Sequence, residues 1–363
     1  ATLDADLIRI HGRGDFDHVG YEVLREQGKQ VLVIQAQERE IGPGYLRFGL
    51  GLSADFSGNA YFQARASYRR TWVNALGAQW RTDLLLGRIN QLQSEFYQPL
   101  RDDQTAFVAP YLDIEQKPFD LYSGGIREAR FLRQSAILGL DVGAQWTPAG
   151  ELRLGLFRGE RSYKLDTGPS TLLASDSSIA SGGLRLRWSN DKLDSSLFPR
   201  AGHAMSLDIV GSMPELGAQD RYTRWEAKYL GAYSHGDDTV QLAARAGGAL
   251  KGARLPAYDL FSLGGFQQLS GYQSDELLGE SMLFARAVYM RRFVNASLFK
   301  GLFGGVSLEA GRVNNPVLAG SPSGTLTAGS LFLAADTPVG PVYLGLGLAR
   351  GGRRALYLYL GAP

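Results

Sequence analysis

The chain has 363 residues, a formal net charge of +2, no cysteine, and 46 glycines beside 17 Tyr, 17 Phe and 5 Trp. So small a net charge excludes the strong positive field of a nucleic-acid-binding protein. No run of about 18 apolar residues is present, which excludes a transmembrane helix. It does not exclude a membrane barrel, whose strands need only about 10 residues each with half their side chains polar.

In chain order, residues 1–42 come first and are polar and mixed. Ile8-Arg9-Ile10, Val19 to Leu24 and Val31-Leu32-Val33-Ile34 read as strands, with a turn at Gln27-Gly28-Lys29. This piece is too small to bury a core alone. It reads as part of a small α+β module, cut at its N-terminus. The chain begins Ala1-Thr2-Leu3-Asp4 without a signal peptide, so either a signal has been removed or the chain is a fragment.

From residue 43 onward the pattern is all-β. Leu46, Phe48, Leu50 and Leu52 alternate with Arg47, Gly49 and Gly51. The same alternation recurs in Leu138, Leu140 and Val142 around Asp141, in Leu184, Leu186 and Trp188 around Arg185 and Arg187, and in Met205, Leu207 and Ile209 around Asp208. Trp225, Ala227 and Tyr229 alternate with Glu226 and Lys228, and Val342, Leu344, Leu346 and Leu348 with small residues. Period 2 repeated in this way marks a sheet with one face in lipid and one in a watery lumen. Backbone groups in hydrocarbon must all be paired, so such a sheet closes on itself.

Strands are expected at 45–53, 60–71, 77–88, 91–99, 105–116, 132–147, 150–163, 178–189, 202–213, 222–235, 239–251, 280–292, 299–312, 325–336, 339–350 and 353–361. Sixteen is an even number, as single-chain bacterial barrels require. The expected fold is therefore a 16-stranded antiparallel transmembrane β-barrel over 43–363. The long connections 117–131, 164–177, 252–279 and 313–324 all fall on the end opposite the entry of Gly44, which makes that end extracellular. The lack of cysteine suits a chain that crosses an oxidising periplasm unfolded.

Two segments break the rhythm. In the first, Asp191 and Asp194 precede Phe198-Pro199-Arg200-Ala201-Gly202 between two strands. The acids cap a turn and the glycine restarts a strand. In the second, Leu263-Gly264-Gly265-Phe266-Gln267-Gln268-Leu269-Ser270-Gly271-Tyr272 lies in the longest loop.

The first resembles the D-x-x-x-x-x-x-F-P-x-x-G element of the bacterial surface antigen superfamily, outer-membrane proteins with periplasmic POTRA modules and a 16-stranded barrel that insert or translocate polypeptides. The second resembles that superfamily's inward-folding loop, whose tip carries R-G-F/Y and whose arginine meets acidic groups on the inner wall. The triplet here is Ser270-Gly271-Tyr272, after Leu269, with serine in place of the arginine. The resemblance makes 1–42 a partial POTRA module. The single module and the loop string are most similar to patatin-like type Vd autotransporters, in which a lipase passenger precedes one POTRA module and the barrel.

That likeness implies a Gram-negative outer-membrane location. It implies as partners the outer-membrane bilayer, the chain's own passenger, and the barrel-assembly machinery with periplasmic chaperones. A homo-oligomer stays open, and no nucleic acid is expected. No passenger lipase lies in this chain: a patatin needs G-x-S-x-G, and Gly320-Ser321-Pro322-Ser323-Gly324 puts proline at the nucleophile. No enzyme activity, cofactor or metal site is expected. The histidines His11, His18, His203 and His235 show no metal spacing. The charges Arg65, Asp141, Arg153, Arg185, Arg187, Asp208, Glu226, Lys228, Arg286 and Glu309 are expected to hydrate the lumen and bind the inward loop. The last strand, Leu356-Tyr357-Leu358-Tyr359-Leu360, resembles a barrel's C-terminal targeting signal, which usually ends in an aromatic residue, whereas this chain stops at Ala362-Pro363. A translocator, an insertase for other barrels and a passive porin are the three classes left open.

Overall fold

A computed structural model describes residues 16–26, 29–38, 44–55, 60–146, 149–169, 178–296, 299–316, 322 and 324–361. β1 (Phe16–Glu26) and β2 (Lys29–Glu38) form an antiparallel hairpin. The barrel wall follows: β3 (Gly44–Ala54), β4 (Ala60–Arg70), β5 (Gln79–Gly87), β6 (Asn90–Pro99), β7 (Ala106–Ser123), β8 (Ile126–Trp146), β9 (Gly150–Thr167), β10 (Ser178–Asp191), β11 (Gly202–Ser212), β12 (Tyr222–His235) and β13 (Asp238–Ala249). The three-residue β14 (Phe261–Leu263) belongs to the long loop. The wall then continues with β15 (Leu277–Ala296), β16 (Phe299–Pro316), β17 (Leu326–Thr337), β18 (Gly340–Ala349) and β19 (Arg353–Leu360). Neighbouring strands pair antiparallel throughout, and β19 returns to β3, so sixteen strands close the barrel. β14 pairs with the start of β15, beyond the point where β13 ends.

The two faces differ as the alternation requires. Phe48 (78% exposed), Leu308 (74%) and Leu138 (65%) stand on the outer surface. A water-soluble fold would leave large apolar side chains this bare only singly, whereas here they recur along strand after strand, as a lipid-facing band does. The alternate residues are buried inward: Asp141, Glu226, Ser307 and Glu309 among the polar ones, Phe284, Phe303, Phe332 and Tyr357 among the aromatic ones.

One expectation needs correction. The sequence marks residues 117–131 as a long loop, but they are a hairpin in which β7 and β8 stay paired from Lys117↔Arg133 to Ser123↔Ile126. The reversal is made by Gly124 (φ 59°) and Gly125 (φ 86°), the positive-φ pair that a two-residue hairpin turn favours. Backbone pairing continues past the expected end of the strands, and the hairpin buries Leu121, Ala129 and Phe131 on one face. β9 and β16 likewise run on, to Thr167 and Pro316. At the N-terminus the expected strands Val19 to Leu24 and Val31 to Ile34 lie in β1 and β2, while Ile8 to Ile10 and Gln27-Gly28 fall outside the described residues. No α-helix occurs among the described residues.

Candidate functional site

The long loop turns back into the barrel and fills the lumen on the side of β15–β19. Its tip is held by one carboxylate. Glu309, inward-facing on β16, accepts the backbone N–H groups of Leu269 (2.7 Å) and Ser270 (2.6 Å), and the hydroxyls of Ser270 (2.8 Å) and Ser307 (2.5 Å). Ser270 Oγ also accepts the N–H of Gln267 at 2.9 Å. Ser270 is fully buried, as is Leu269. Serine at the expected arginine position thus still meets an acid on the inner wall, through hydroxyl and backbone donors instead of a guanidinium. Leu269 takes φ 81°, a conformation that a branched side chain adopts only when its surroundings impose it.

The wall strand β18 is shaped to admit this tip. A Cβ on Gly345 would lie 2.4 Å from the Phe266 ring, and one on Gly347 would lie 2.7 Å from Ser270 Cβ. These are the small residues that alternate with Val342, Leu344, Leu346 and Leu348. Their smallness on the lumen face is what lets the loop lie against the wall.

The guanidinium missing from the loop is supplied by the last strand. Arg353 of β19 pairs with Glu276 of the loop at 2.8 Å and lies 4.5 Å over the ring of Tyr272. Four residues further along β19 on the same face, the Tyr357 hydroxyl accepts the N–H of Gly271 (2.9 Å) and donates to the carbonyl of Tyr272 (3.3 Å). Gly271, at φ 97°, is wedged so closely that an added Cβ would stand 3.1 Å from the Ala349 nitrogen. Sequence reasoning missed Arg353, Glu276 and Tyr357. The period-2 face Arg353, Ala355, Tyr357, Tyr359 carried the signal, but only knowledge of what lies opposite gives it meaning.

The other expected element enters from the opposite end. Asp191 caps the N–H of Leu193 (3.0 Å). Asp194 accepts the N–H groups of Arg200 (2.8 Å) and Ala201 (3.1 Å), closing the turn. Burial works against the Asp194 charge, but these donors outweigh it and hold the carboxyl below its ordinary value. Pro199 O accepts from Gln241 (2.9 Å), and Gly202 restarts the chain as β11 at φ 95°. The turn drives Phe198 into the lumen, where it stacks on Phe303 (centroids 4.7 Å) and Tyr343 (5.5 Å). Phe266 from the inward loop reaches the same Tyr343 (6.2 Å), with Phe332, Tyr357 and Tyr359 around it. The two motifs, whose Phe198 and Phe266 are 68 positions apart in sequence, meet in one aromatic cluster.

The lumen charges divide into two groups. Arg286 and Glu309 hold the loop: Arg286 donates to the carbonyl (3.1 Å) and side chain (3.0 Å) of Gln267. The rest pair along the wall. Arg185 and Arg187 share Asp208 (2.5 and 3.4 Å), Asp141 lies 3.6 Å from Arg153, Arg65 meets Asp83 (2.9 Å), and Glu226 gathers Lys228 (3.4 Å), Arg224 and Arg245. Arg245, not singled out from sequence, also reaches the loop at Gln268 (3.1 Å).

The closing seam is short. Among the described residues, only Leu358, Tyr359 and Leu360 of β19 pair with Ala54, Ser53 and Leu52 of β3. Beside it, a cavity of about 270 Å³ is bounded by Gly51, Tyr61 and Arg88 on one side, Tyr359 on the other, and Phe266 and Asp275 of the loop. Ser321 and Ser323 of the patatin-like string lie outside the described residues.

No curated protein matches the chain in sequence. Among solved structures it is similar to BamA from Haemophilus ducreyi lacking POTRA domains 1–3, at 13% identity and TM-score 0.73, over 99% of this chain and 77% of that one. It is also similar to CdiB from Acinetobacter baumannii (13%, TM-score 0.66, 97% and 67%) and CdiB from Escherichia coli (14%, TM-score 0.63, 94% and 67%). At such identity these likenesses show the fold, and the barrel fits outer-membrane placement. The model of the Omp85 superfamily domain matches residues 43–305, which is most of the chain and bears out the superfamily resemblance. This chain belongs to the Omp85 superfamily.

Proposed function

We propose that the barrel, residues 43–363, is the outer-membrane translocator of a patatin-like type Vd autotransporter, with residues 1–42 part of a single periplasmic POTRA module. In this reading the barrel secretes an N-terminal passenger, a patatin-like lipase, and is itself no enzyme and needs no cofactor. The long loop plugs the lumen at rest, with Ser270-Gly271-Tyr272 as its anchor. The passenger leaves through the lumen or past the seam between β3 and β19. The observation that carries this reading is the combination of a plugged lumen with a seam closed on three residue pairs. A passive porin needs an open lumen and is disfavoured by the same observation. An insertase or a two-partner secretion transporter of the same superfamily remains the second reading. The sequence upstream of Ala1 separates them, since an insertase carries several POTRA modules.

Function is tested with Tyr272→Ala. It removes the ring beneath Arg353 and should lower the amount of passenger that protease can reach on intact cells. Normal display from a normally folded barrel would count against the reading.

A further inference from the structure

Almost every arginine on the lumen wall is matched to a carboxylate. Arg65, Arg153, Arg161, Arg185, Arg187, Arg224 and Arg245 all lie within 4 Å of one. Three are not. Arg47 on β3, Arg69 on β4 and Arg81 on β5 occupy neighbouring inward positions and enter no ion pair among the described residues. Arg69 and Arg81 are directly opposite each other in register, an arrangement of like charges that destabilises a sheet. The acids that could neutralise them are committed elsewhere. Glu95, opposite Arg81, is held by Arg153 at 2.6 Å, and Asp83 by Arg65 and Ser67. Tyr45 organises the group: Arg47 lies 4.8 Å over its ring, and Arg69 is 3.4 Å from its hydroxyl. Arg47 and Arg81 are water-exposed, so their donors stand free.

We propose that Arg47, Arg69 and Arg81, braced by Tyr45, form an anion-binding site on the lumen wall that takes the carboxylates of an acidic polypeptide segment. It lies near the end where β3 begins, beside the stretch of β3 that β19 leaves unpaired. On the orientation proposed above, this is the periplasmic mouth, where a chain in transit enters. The inference rests on the translocator reading for its biological meaning, but its chemistry does not, so the test uses a free peptide and no passenger.

The full chain, purified in non-ionic detergent, is titrated against fluorescent hexaglutamate and followed by anisotropy, with hexalysine as the opposite-charge control. Hexaglutamate should bind and hexalysine should not, and added salt should weaken the binding. The triple variant Arg47→Gln, Arg69→Gln, Arg81→Gln should bind about tenfold more weakly or worse, as losing the charged partners of a bound anion does. A second variant, Arg101→Gln, Arg221→Gln, Arg291→Gln, removes the same charge outside this cluster and should bind as the parent does. If the triple variant does not fold, judged by heat-modifiable mobility, Arg81→Gln alone should still weaken binding. Equal losses in both triple variants, or binding unchanged by removal of the cluster, would overturn the site. Secretion of a passenger is measured separately, so a failed site and a failed translocator reading give different results. Competition by inorganic phosphate at the site separates a general anion cradle from one that needs several linked carboxylates.

Discussion

Glu309 is the residue on which the inward loop hangs. Its carboxylate satisfies two backbone N–H groups and two hydroxyls, all buried. Each buried donor left without an acceptor costs about 1–3 kcal/mol. Glu309→Ala strands several at once, so the loop should detach while the wall stays closed. Hydrogen exchange at the amides of residues 264–276 should then speed up strongly, with the exchange of β7 and β8 unchanged. Glu309→Gln keeps one acceptor oxygen but turns an N–H₂ toward the donors, and should loosen the loop to a lesser degree. Slow exchange throughout in Glu309→Ala would mean that the aromatic cluster alone retains the loop. Arg353→Gln should free the Glu276 end without disturbing Ser270, because the two anchors share no atom.

At the scale of elements, the strands were legible because each one reports its own two environments, and every one of the sixteen expected spans overlaps a strand of the wall. Their lengths were not legible at the water-exposed end. Beyond the bilayer no lipid face is left to enforce alternation, and only Gly124-Gly125 marks where β7 turns into β8. The partners of the loop were hidden for a different reason. Arg353 and Glu276 are 77 positions apart, and the one local contact of Glu276, with the Gln273 N–H, does not point to an arginine. The seam adds a prediction of its own. An inter-strand hydrogen bond contributes about 1 kcal/mol net, so three paired residues hold β19 to β3 far more weakly than the full-length pairing between β7 and β8. The chain has no cysteine, so Leu52→Cys with Leu360→Cys, which are register partners, introduces one defined pair. Oxidation across the seam should stop passenger display and reductant should restore it. The pair Leu333→Cys with Leu344→Cys between β17 and β18 should have no effect. Undiminished display from a fully cross-linked seam would show that the passenger leaves through the lumen.

On the scale of the whole molecule, the lumen is closed from both ends by aromatic side chains that touch a common residue. Phe198 enters from the turn after β10 and Phe266 from the loop after β13, and Tyr343 lies against both. The plug is therefore one body, and its two halves should be energetically coupled. Phe198→Ala and Phe266→Ala each remove a buried ring, at a cost of about 3–5 kcal/mol where the site cannot collapse. Residues sharing a packing partner deviate from additivity by about 0.5–3 kcal/mol. The double variant should thus be less destabilised in urea unfolding than the sum of the singles, because once one ring has gone Tyr343 has already lost its fixed position. Planar-bilayer current should also depart from additivity, but in the opposite sense, because either ring left in place still obstructs the lumen. The parent should give low or flickering conductance, each single variant a modest rise, and the double variant a steady opening larger than the two rises together. Strict additivity in both measurements would mean that the turn motif and the loop motif close the lumen independently, and that their meeting at Tyr343 is packing without mechanical consequence.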